Sequence, residues 1–299
     1  FFNKVSTYNA SFGWFNCLAM LIFEQVYPLN NHLKDLKKQK KSIGFVATMG
    51  ALHSGHISLV RQAKARNSIV VVSIFVNPTQ FNKQDDLIKY PRNTERDKEL
   101  LKEVDCDIVF IPTVEEMYPN KVEPENIDLN GLDLNMEGSF RSNHFDGVAT
   151  VVKRFFEIIN PDQAYFGLKD FQQYLIVKHI TKVLNLGPEV VGLEIERNEK
   201  GLALSSRNQR LSVSEQNEAL IIYKSIAWAK ENYKHFGPSE IKKKIHLDFE
   251  KSNLKLEYVE ICDPHSLKEI SQWSDFKEAR IFIAANHGKV RLIDNDRLF

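Results

Sequence analysis

The sequence predicts an α/β fold in which a parallel sheet is followed by a smaller α+β domain. Strand-like and helical patterns alternate from about residue 43 to residue 195, an order typical of parallel sheets with right-handed crossovers. After about residue 196 the alternation stops, and a polar loop leads into two helical stretches and then into strands. The 299 residues, 43% hydrophobic and 26% charged, suffice for two globular domains with buried cores.

The elements of the parallel part follow from local composition and periodicity. Short runs of apolar, often β-branched or aromatic residues predict strands at 43–48, 69–76, 107–111, 163–166 and 189–195. Apolar residues at helical spacing predict helices from about 56 and at 94–104, 148–159 and 170–184. Between these elements, residues 112–147 are loop-rich. Thr94 and Asp97 resemble a capping box in which aspartate replaces the usual glutamate.

The C-terminal part has a different pattern. Helices are predicted near 214–232 and 238–252, and strands near 254–261 and 279–293. No internal repeat or low-complexity tract interrupts either part. The change of pattern places the domain boundary between residues 195 and 196.

The first 19 residues stand apart from this organisation. Residues 1–19 carry one charge, Lys4, and break their apolar residues with Asn, Ser, Thr and Gly. A signal peptide would show a basic start, an unbroken apolar core and a small-residue cleavage site. We therefore interpret 1–19 as a non-native or disordered N-terminal extension, with an ordered arm as the alternative.

Charge and cysteine content exclude several classes of protein. Lys and Arg number 40 against 39 Asp and Glu, so the net charge of +1 argues against a dedicated nucleic-acid or polybasic membrane protein. No apolar run approaches the 18–20 residues or so that a membrane span needs. Three scattered cysteines are too few for a disulfide framework, which fits a reducing cytoplasm.

A turn with two glycines and two histidines follows the first predicted strand and opens a helix, at 48–56. Gly50 and Gly55 allow a tight turn and close approach of the backbone to a ligand. A helix N-terminus presents free N–H groups and partial positive charge, which favour phosphate, and His53 and His56 add further donors. A zinc site is disfavoured because a third ligand is missing. Two surface histidines in a loop remain the alternative.

Polar residues also follow two other predicted strands. Asn77 and Gln80 come after the strand at 69–76 and offer uncharged amides that suit hydroxyls and a carboxylate, although Asn-Pro is also an ordinary turn. Lys169 and Asp170 come after the strand at 163–166, where a surface ion pair is the alternative to a phosphate contact. Because ligands of parallel sheets bind beyond the carboxyl ends of the strands, these positions favour a binding site.

A fourth motif lies in the polar loop between the two predicted domains. Ser205, Ser206 and Arg207 supply two hydroxyls and a guanidinium, which suit a mobile lid that closes on a triphosphate. The alternative is a polar linker. The four motifs together favour a nucleotide-dependent enzyme, while the lysine runs near residues 37–41 and 242–244 are interpreted as solvated helix faces.

The His-x-Gly-His turn after a first strand resembles the nucleotide-binding superfamily of class I aminoacyl-tRNA synthetases and adenylyltransferases, which implies a Rossmann-like sheet. From about residue 20 to residue 298 the chain resembles the pantoate–β-alanine ligase family. The resemblance comprises Thr-Met-Gly-Ala-Leu-His-x-Gly-His at 48–56, Phe-Val-Asn-Pro-x-Gln-Phe at 75–81, Tyr-Pro-Arg at 90–92, His-Phe-x-Gly-Val at 144–148, Lys-Asp-x-Gln-Gln at 169–173, Ser-Ser-Arg-Asn at 205–208 and Arg-Leu-Ile-Asp-Asn at 291–295.

The resemblance implies ATP-dependent condensation of (R)-pantoate with β-alanine through a pantoyl adenylate, with release of AMP and pyrophosphate. It also implies Mg²⁺ as cofactor, a cytoplasmic homodimer, and neither nucleic-acid nor membrane partners. By the same resemblance, residues 20–195 are expected to form a Rossmann-like domain that binds ATP and pantoate, and residues 196–299 are expected to form a C-terminal lid domain.

Site residues carry over by motif. The catalytic residues are His56 as proton donor, His53, Lys169 and Arg207. The ATP-binding residues are Met49, Gly50, Ala51, Leu52, His53, Ser54, Gly55, His56, Gly167, Leu168, Lys169, Asp170, Glu196, Leu204, Ser205, Ser206 and Arg207. The substrate-binding residues are Gln80, Gln173, Asn77, Tyr90, Arg141 and His144. No protein residue is assigned as a metal ligand.

The chain departs from the family pattern at four positions. Ala47 and Ser142 stand where the family often has proline, and Leu204 stands where it usually has methionine, a swap of similar volume. Glu196 replaces an apolar residue whose backbone touches adenine, which leaves only a backbone contact for this position. None of these changes removes a charged or amide group that the chemistry needs.

Three other functions remain as alternatives. A nucleotidyltransferase of the same superfamily would keep AMP on its product, but Gln80, Gln173 and the Ser-Ser-Arg motif disfavour it. A tRNA-charging enzyme is disfavoured by the neutral charge and the lack of an anticodon-binding extension. A non-catalytic binding protein is disfavoured because every charged motif residue is present.

Overall fold

The computed structural model describes residues 20–81, 87–88, 90–141 and 143–299. The interpretation of residues 1–19 therefore lies outside the described residues. The chain divides into two compact units, which are described separately.

The first unit comprises the described residues up to 131 together with 140–167 and 176–193, and the second comprises 132–139, 168–175 and 194–299. The chain thus changes unit near residue 194, close to the boundary that the sequence suggests. Two short segments, 132–139 and 168–175, belong to the second unit although the sequence analysis assigned them to the N-terminal domain.

The first unit is built on a six-stranded sheet with strand order β1-β4-β3-β2-β5-β6, in which every neighbouring pair is parallel. Its strands are β1 Leu21–Phe23, β2 Ile43–Thr48, β3 Ile69–Ile74, β4 Ile108–Phe110, β5 Gln163–Gly167 and β6 Glu189–Leu193. The α-helices before β6 are α1 Val26–Lys38, α2 Ser54–Arg66, α3 Thr94–Lys102, α4 Val114–Met117, α5 Glu137–Phe140, α6 His144–Ile159 and α7 Phe171–Val183. The predicted α/β class is confirmed.

Apolar side chains cover both faces of this sheet, which explains why β3 is a continuous apolar run rather than an alternating one. On one face, Val60 of α2 and Val46 and Val72 of the strands lie in one buried cluster. On the other face, Phe45 of β2 packs against Phe155 of α6, with ring centroids 5.3 Å apart. A sheet buried on both sides fixes the positions of the loops at its carboxyl edge.

Two elements at the start of the chain were not predicted. Strand β1 pairs with β4 at the sheet edge, and helix α1 follows it. Two other helices begin at unexpected residues. Helix α6 starts at His144 rather than near residue 148, and the cap of α3 is Asn93, whose side chain accepts from the Arg96 N–H. The capping box assigned to Thr94 and Asp97 was therefore wrong.

The second unit contains a three-stranded antiparallel sheet of order β7-β8-β9. Its elements are α8 Val213–Asn232, α9 Pro238–Glu250, β7 Lys255–Cys262, β8 Arg280–His287 and β9 Val290–Arg297. The predicted strand segment 279–293 is a hairpin of two strands. Apolar residues of both helices and all three strands form one buried cluster, so the unit has its own core.

No helix in the described part of the chain has both the length and the apolar character needed to cross a bilayer.

The two described cysteines are buried free thiols, Cys106 beside β4 and Cys262 at the end of β7. Burial raises the pKa of each thiol to about 12, so about one thiol in ten thousand is ionised at pH 8. In a Cys17→Ser variant, we expect no thiol to react with Ellman's reagent in the native protein and two to react in guanidinium chloride. Rapid native labelling at pH 8 would contradict the burial of these side chains.

Candidate active site

The strand order reverses between β2 and β5, and this switch point is where α/β sheets place their ligands. Strand β2 lies between β3 and β5. These three adjacent strands precede the three motifs that the sequence analysis placed after strands. The motifs are far apart in sequence, but each follows one of three strands that are neighbours in the sheet.

Two histidines cap helix α2 at its N-terminus. The Nδ1 atom of His53 accepts a hydrogen bond from the Gly55 N–H at 3.1 Å, and the Nδ1 atom of His56 lies 3.4 Å from the His53 N–H. The two rings lie 4.1 Å apart between centroids. This arrangement is a capping box in which imidazoles take the places of the usual hydroxyl and carboxylate.

The histidine capping box determines which donors the turn can offer. Because both Nδ1 atoms accept hydrogen bonds, each neutral ring carries its proton on Nε2 and donates from there. The sequence analysis expected free backbone N–H groups for phosphate. In the structure, the N–H groups of Gly50 and Gly55 are instead bonded within the turn. The two imidazole rings thus add their Nε2 groups to the donors at this helix N-terminus.

A buried carboxylate that the sequence analysis missed also binds this turn. Asp97 of α3 is 2% exposed, and its two oxygens accept from the N–H groups of Ala51 and Leu52. Burial raises the pKa of the Asp97 carboxyl, and these two N–H groups oppose that shift. The residue lies 45 or more positions from its partners in sequence, so no local motif could have identified it.

A second buried polar cluster follows β3, and Asn77 is its centre. The Asn77 amide donates to Gly147 O at 3.0 Å and to Gln80 Oε1 at 3.2 Å, and its oxygen accepts from the Tyr118 hydroxyl at 2.8 Å. Burial raises the pKa of the Tyr118 phenol, which keeps it protonated as a donor. Gly147 is required because a Cβ there would overlap the Thr79 carbonyl group. Tyr118 is a further residue that the sequence analysis missed.

Gln80 joins the two clusters. Its amide nitrogen lies 2.9 Å from the Met49 sulfur in the turn after β2. Its backbone carbonyl lies 2.9 Å from Nδ1 of His144, a buried residue at the first position of α6. The structure thus brings Met49, Gln80, Asn77 and His144 together.

Two other predicted substrate residues lie close in sequence to this cluster. The Arg141 carbonyl accepts from the His144 N–H at 3.1 Å, and the Arg141 side chain is half-buried. Tyr90 packs edge-on against Phe81, with ring centroids 5.7 Å apart. Tyr90 is thus packed on the residue that follows Gln80 in sequence, and Arg141 is joined to His144 through the backbone.

In the second unit, Lys169 lies in a 3₁₀ turn, Leu168–Asp170, that a residue of β9 holds in place. The Asn295 amide donates to the carbonyls of Leu168 at 3.0 Å and Lys169 at 2.8 Å. Arg280 in turn donates to the Asn295 oxygen. The Lys169 ammonium lies 3.5 Å from the Asp170 carboxylate, so the pair also forms the surface ion pair that was its alternative interpretation.

The two glutamines after this turn have different environments. Gln172 is 4% exposed and bonds the backbone of Leu132, Asn135 and Glu137, so it holds the segment 132–139 in the second unit. Gln173 is half-buried and takes no part in those bonds. The assignment of Gln173 rather than Gln172 to substrate is therefore compatible with the structure.

The Ser-Ser-Arg motif begins a second 3₁₀ turn, Ser206–Arg210. The Ser205 hydroxyl caps it by accepting from the Arg207 N–H at 3.3 Å. Before this turn, Leu204 donates its N–H to the carbonyl of Glu196, whose side chain is exposed. Residues 204–208 are therefore partly buried, and the 3₁₀ turn and its cap give them a defined conformation.

These features define a nucleotide-binding α/β enzyme, with a histidine-capped helix N-terminus at the switch point of a parallel sheet and buried amides beside it. The chain belongs to the pantoate-beta-alanine ligase family, whose model matches residues 21–297. The family resemblance that the sequence motifs carried is confirmed.

Among its relatives, a pantothenate synthetase from Flavobacterium psychrophilum is 44% identical over 278 residues, 92% of this chain and 99% of the relative. The crystal structure of pantothenate synthetase from Thermus thermophilus has a TM-score of 0.86 and 37% identity, covering 93% of this chain and 99% of that one. The ligase from Francisella tularensis, crystallised with beta-gamma ATP and beta-alanine, has a TM-score of 0.78 and 34% identity, covering 94% and 98%.

Proposed function

We propose that this chain condenses (R)-pantoate with β-alanine to form pantothenate, at the expense of ATP. A pantoate carboxylate oxygen attacks the α-phosphorus of ATP and pyrophosphate leaves. The β-alanine amine then attacks the acyl carbon, and AMP leaves as the amine loses a proton. Activation is needed because a carboxylate is a poor acyl donor, whereas an acyl adenylate has AMP as its leaving group.

One observation carries this proposal: the contact of Gln80 with Met49. It joins the buried amides after β3 to the histidine turn after β2. Uncharged amides suit the hydroxyls and carboxylate of pantoate, and the neighbouring histidine turn suits a triphosphate. An acid and a nucleotide bound at these two adjacent places would have the reacting groups close together.

The histidines act on the phosphates in this proposal. Each neutral ring donates from Nε2, so His53 and His56 stabilise the negative charge that develops as pyrophosphate leaves. We propose that His56 also acts as the proton donor, the role that the family resemblance implies for it. The positive N-terminal end of helix α2 adds to the same field.

The remaining motif residues complete the proposed assignments. Lys169 and Arg207 would screen the repulsion between the pantoate carboxylate and the triphosphate. Gln173 would bind pantoate, and Gly167, Leu168 and Asp170 would contact ATP together with the segment from Leu204 to Arg207. These roles rest on the matching motifs.

We propose Mg²⁺ as the cofactor, carried to the enzyme by ATP. In the described part of the chain, no three His, Cys, Asp or Glu side chains come together as metal ligands. Mg²⁺ is commonly held by substrate phosphates and one or two carboxylates, and Asp170 would supply the carboxylate. Bound there, the ion would neutralise phosphate charge.

We also propose that the enzyme is a cytoplasmic homodimer. The family resemblance motivates the dimer, and the two free, buried thiols fit a reducing compartment. Light scattering after size-exclusion chromatography tests the dimer: a mass near 69 kDa supports it, and a mass near the 34.6 kDa of one chain excludes it.

The decisive test of the function is AMP release from ATP in the presence of pantoate and β-alanine. We expect AMP only when both acids are present, and pantothenate in equal amount. Absence of AMP with both present would exclude the ligase. An adenylylated product that retains AMP would instead support the nucleotidyltransferase alternative.

We expect Gln80→Ala to impair mainly the use of pantoate and β-alanine. Loss of its amide should lower kcat/KM for both by about 10- to 100-fold and change KM for ATP by less than about 3-fold. Gln163→Ala is the control, because Gln163 begins β5 at the opposite end of the sheet and pairs with Glu189. An effect confined to ATP would contradict the placement of Gln80.

A further inference from the structure

The buried carboxylate of Asp97 binds two consecutive backbone N–H groups. Its Oδ2 atom accepts from Ala51 at 2.9 Å, and its Oδ1 atom accepts from Leu52 at 2.7 Å. Each oxygen therefore has its own donor, and a carboxylate makes such bonds more strongly than a neutral acceptor. Because both oxygens belong to one planar carboxylate, the two bonds fix the relative positions of the Ala51 and Leu52 N–H groups.

The turn that Asp97 holds has an unusual backbone. Gly50 has φ +78° and Ala51 has φ +50°, so two successive residues lie in the left-handed region. For Ala51, which carries a Cβ, this conformation costs free energy that the surroundings must supply. A Cβ on Gly50 would lie 2.9 Å from the Asp97 Oδ2 atom, so the carboxylate packs directly against the turn.

Asp97 differs from a second aspartate of the same unit in the partners it has. Asp107 accepts from the Val70 N–H at 2.7 Å and also forms an ion pair with Lys64 at 2.8 Å. The two hydrogen-bond partners of Asp97 are main-chain N–H groups of the turn. A buried carboxylate without a bonded cation is costly. The two hydrogen bonds to the turn are what this cost is offset against.

We propose that Asp97 is a positioning residue that sets the shape of the ATP-binding turn. This inference rests on the proposed function, in which the turn binds ATP. By holding the N–H groups of Ala51 and Leu52, Asp97 fixes the path of the chain into His53. The capping box then places the Nε2 donors of both histidines, so the geometry for the triphosphate exists before ATP binds.

The test compares Asp97→Asn with Asp107→Asn in the full chain. Each variant puts an amide NH₂ where a carboxylate oxygen accepted hydrogen bonds, but Asp107 precedes β4 at the amino end of the sheet. We expect Asp97→Asn to raise KM for ATP and the calorimetric Kd of MgATP by 10-fold or more, with KM for β-alanine changed by less than 2-fold. Asp107→Asn should change all three values by less than 2-fold.

Two outcomes would overturn the positioning role. One is an unchanged affinity for MgATP in Asp97→Asn, even if wild-type protein is an active ligase. The other is that both variants are impaired by the same factor in every kinetic constant, in proportion to the fall in their melting temperatures. A wild-type protein that releases no AMP would instead exclude the proposed function, whatever the effect of Asp97→Asn on MgATP affinity.

A measurement on the wild-type protein does not depend on the folding of a variant. Since Asp97 already holds Ala51 and Leu52, their amide hydrogens should exchange slowly in the free protein, at least 100-fold more slowly than in an unstructured chain. Exchange at the unstructured rate before ATP is added would show that the turn is not preformed and would overturn the inference.

Discussion

Replacement of His56 by alanine is expected to lower kcat by two or more orders of magnitude. The variant loses the donor that we propose for the phosphates, and such groups commonly contribute about 10²–10³ in rate. It also loses the acceptor for the His53 N–H, so the partner ring is less firmly held. Steady-state measurement of AMP release at saturating pantoate and β-alanine checks this result.

His56→Gln separates the two contributions. Glutamine at the third position of a capping box accepts from the cap N–H as the imidazole does, and it keeps an uncharged N–H donor. We expect its melting temperature to equal that of the wild type within about 2 °C and its kcat to exceed that of His56→Ala by about tenfold. Near-normal turnover in His56→Ala would contradict the assigned role.

Lys169→Met is expected to lower kcat/KM for ATP by about 100-fold, which corresponds to about 2.7 kcal/mol. Methionine retains most of the apolar stem, so the change removes mainly the ammonium charge. The side chain of Lys169 is 16% exposed, and two hydrogen bonds from Asn295 hold the backbone of its turn. The charge is therefore presented from a fixed backbone rather than from a flexible loop.

Lys153→Met is the matched control for Lys169→Met. Lys153 of α6 is 24% exposed and pairs with Glu125, so the replacement removes a lysine of similar exposure from an ion pair outside the motifs. We expect its kcat/KM for ATP to stay within about 2-fold of wild type, since partly exposed ion pairs contribute little. Equal losses in the two variants would assign the effect of Lys169 to general stability.

Much of the fold was predictable because its strongest signals are local. Five of the six residues of strand β3 are valine or isoleucine, and the helices α3 and α7 show apolar residues at helical spacing. Strand β1 has only three residues, too few for a periodic pattern, and it exists because β4 offers it an edge. The two segments that join the second unit were not predictable, since their assignment depends on contacts made far along the chain.

The motif residues of the candidate site stand out in the sequence, whereas the residues that hydrogen-bond to them do not. Asp97, Tyr118 and Asn295 bond motif residues that lie 45–46, 41 and 126–127 positions away. At Asp97 the local pattern was misleading, because a carboxylate early in a helix favours a capping role that Asn93 fulfils. Sequence reasoning identifies groups that perform chemistry, and only the folded chain shows which groups orient them.

The amide of Asn295 has a consequence for the order in which the protein is made. Strand β9, which carries it, is the last strand of the described chain, and its partners Leu168 and Lys169 are synthesised well over a hundred residues earlier. During translation, the lysine turn therefore lacks these hydrogen bonds until β9 has been synthesised. A chain that stops before residue 295 would keep the lysine turn but lack the amide that holds it.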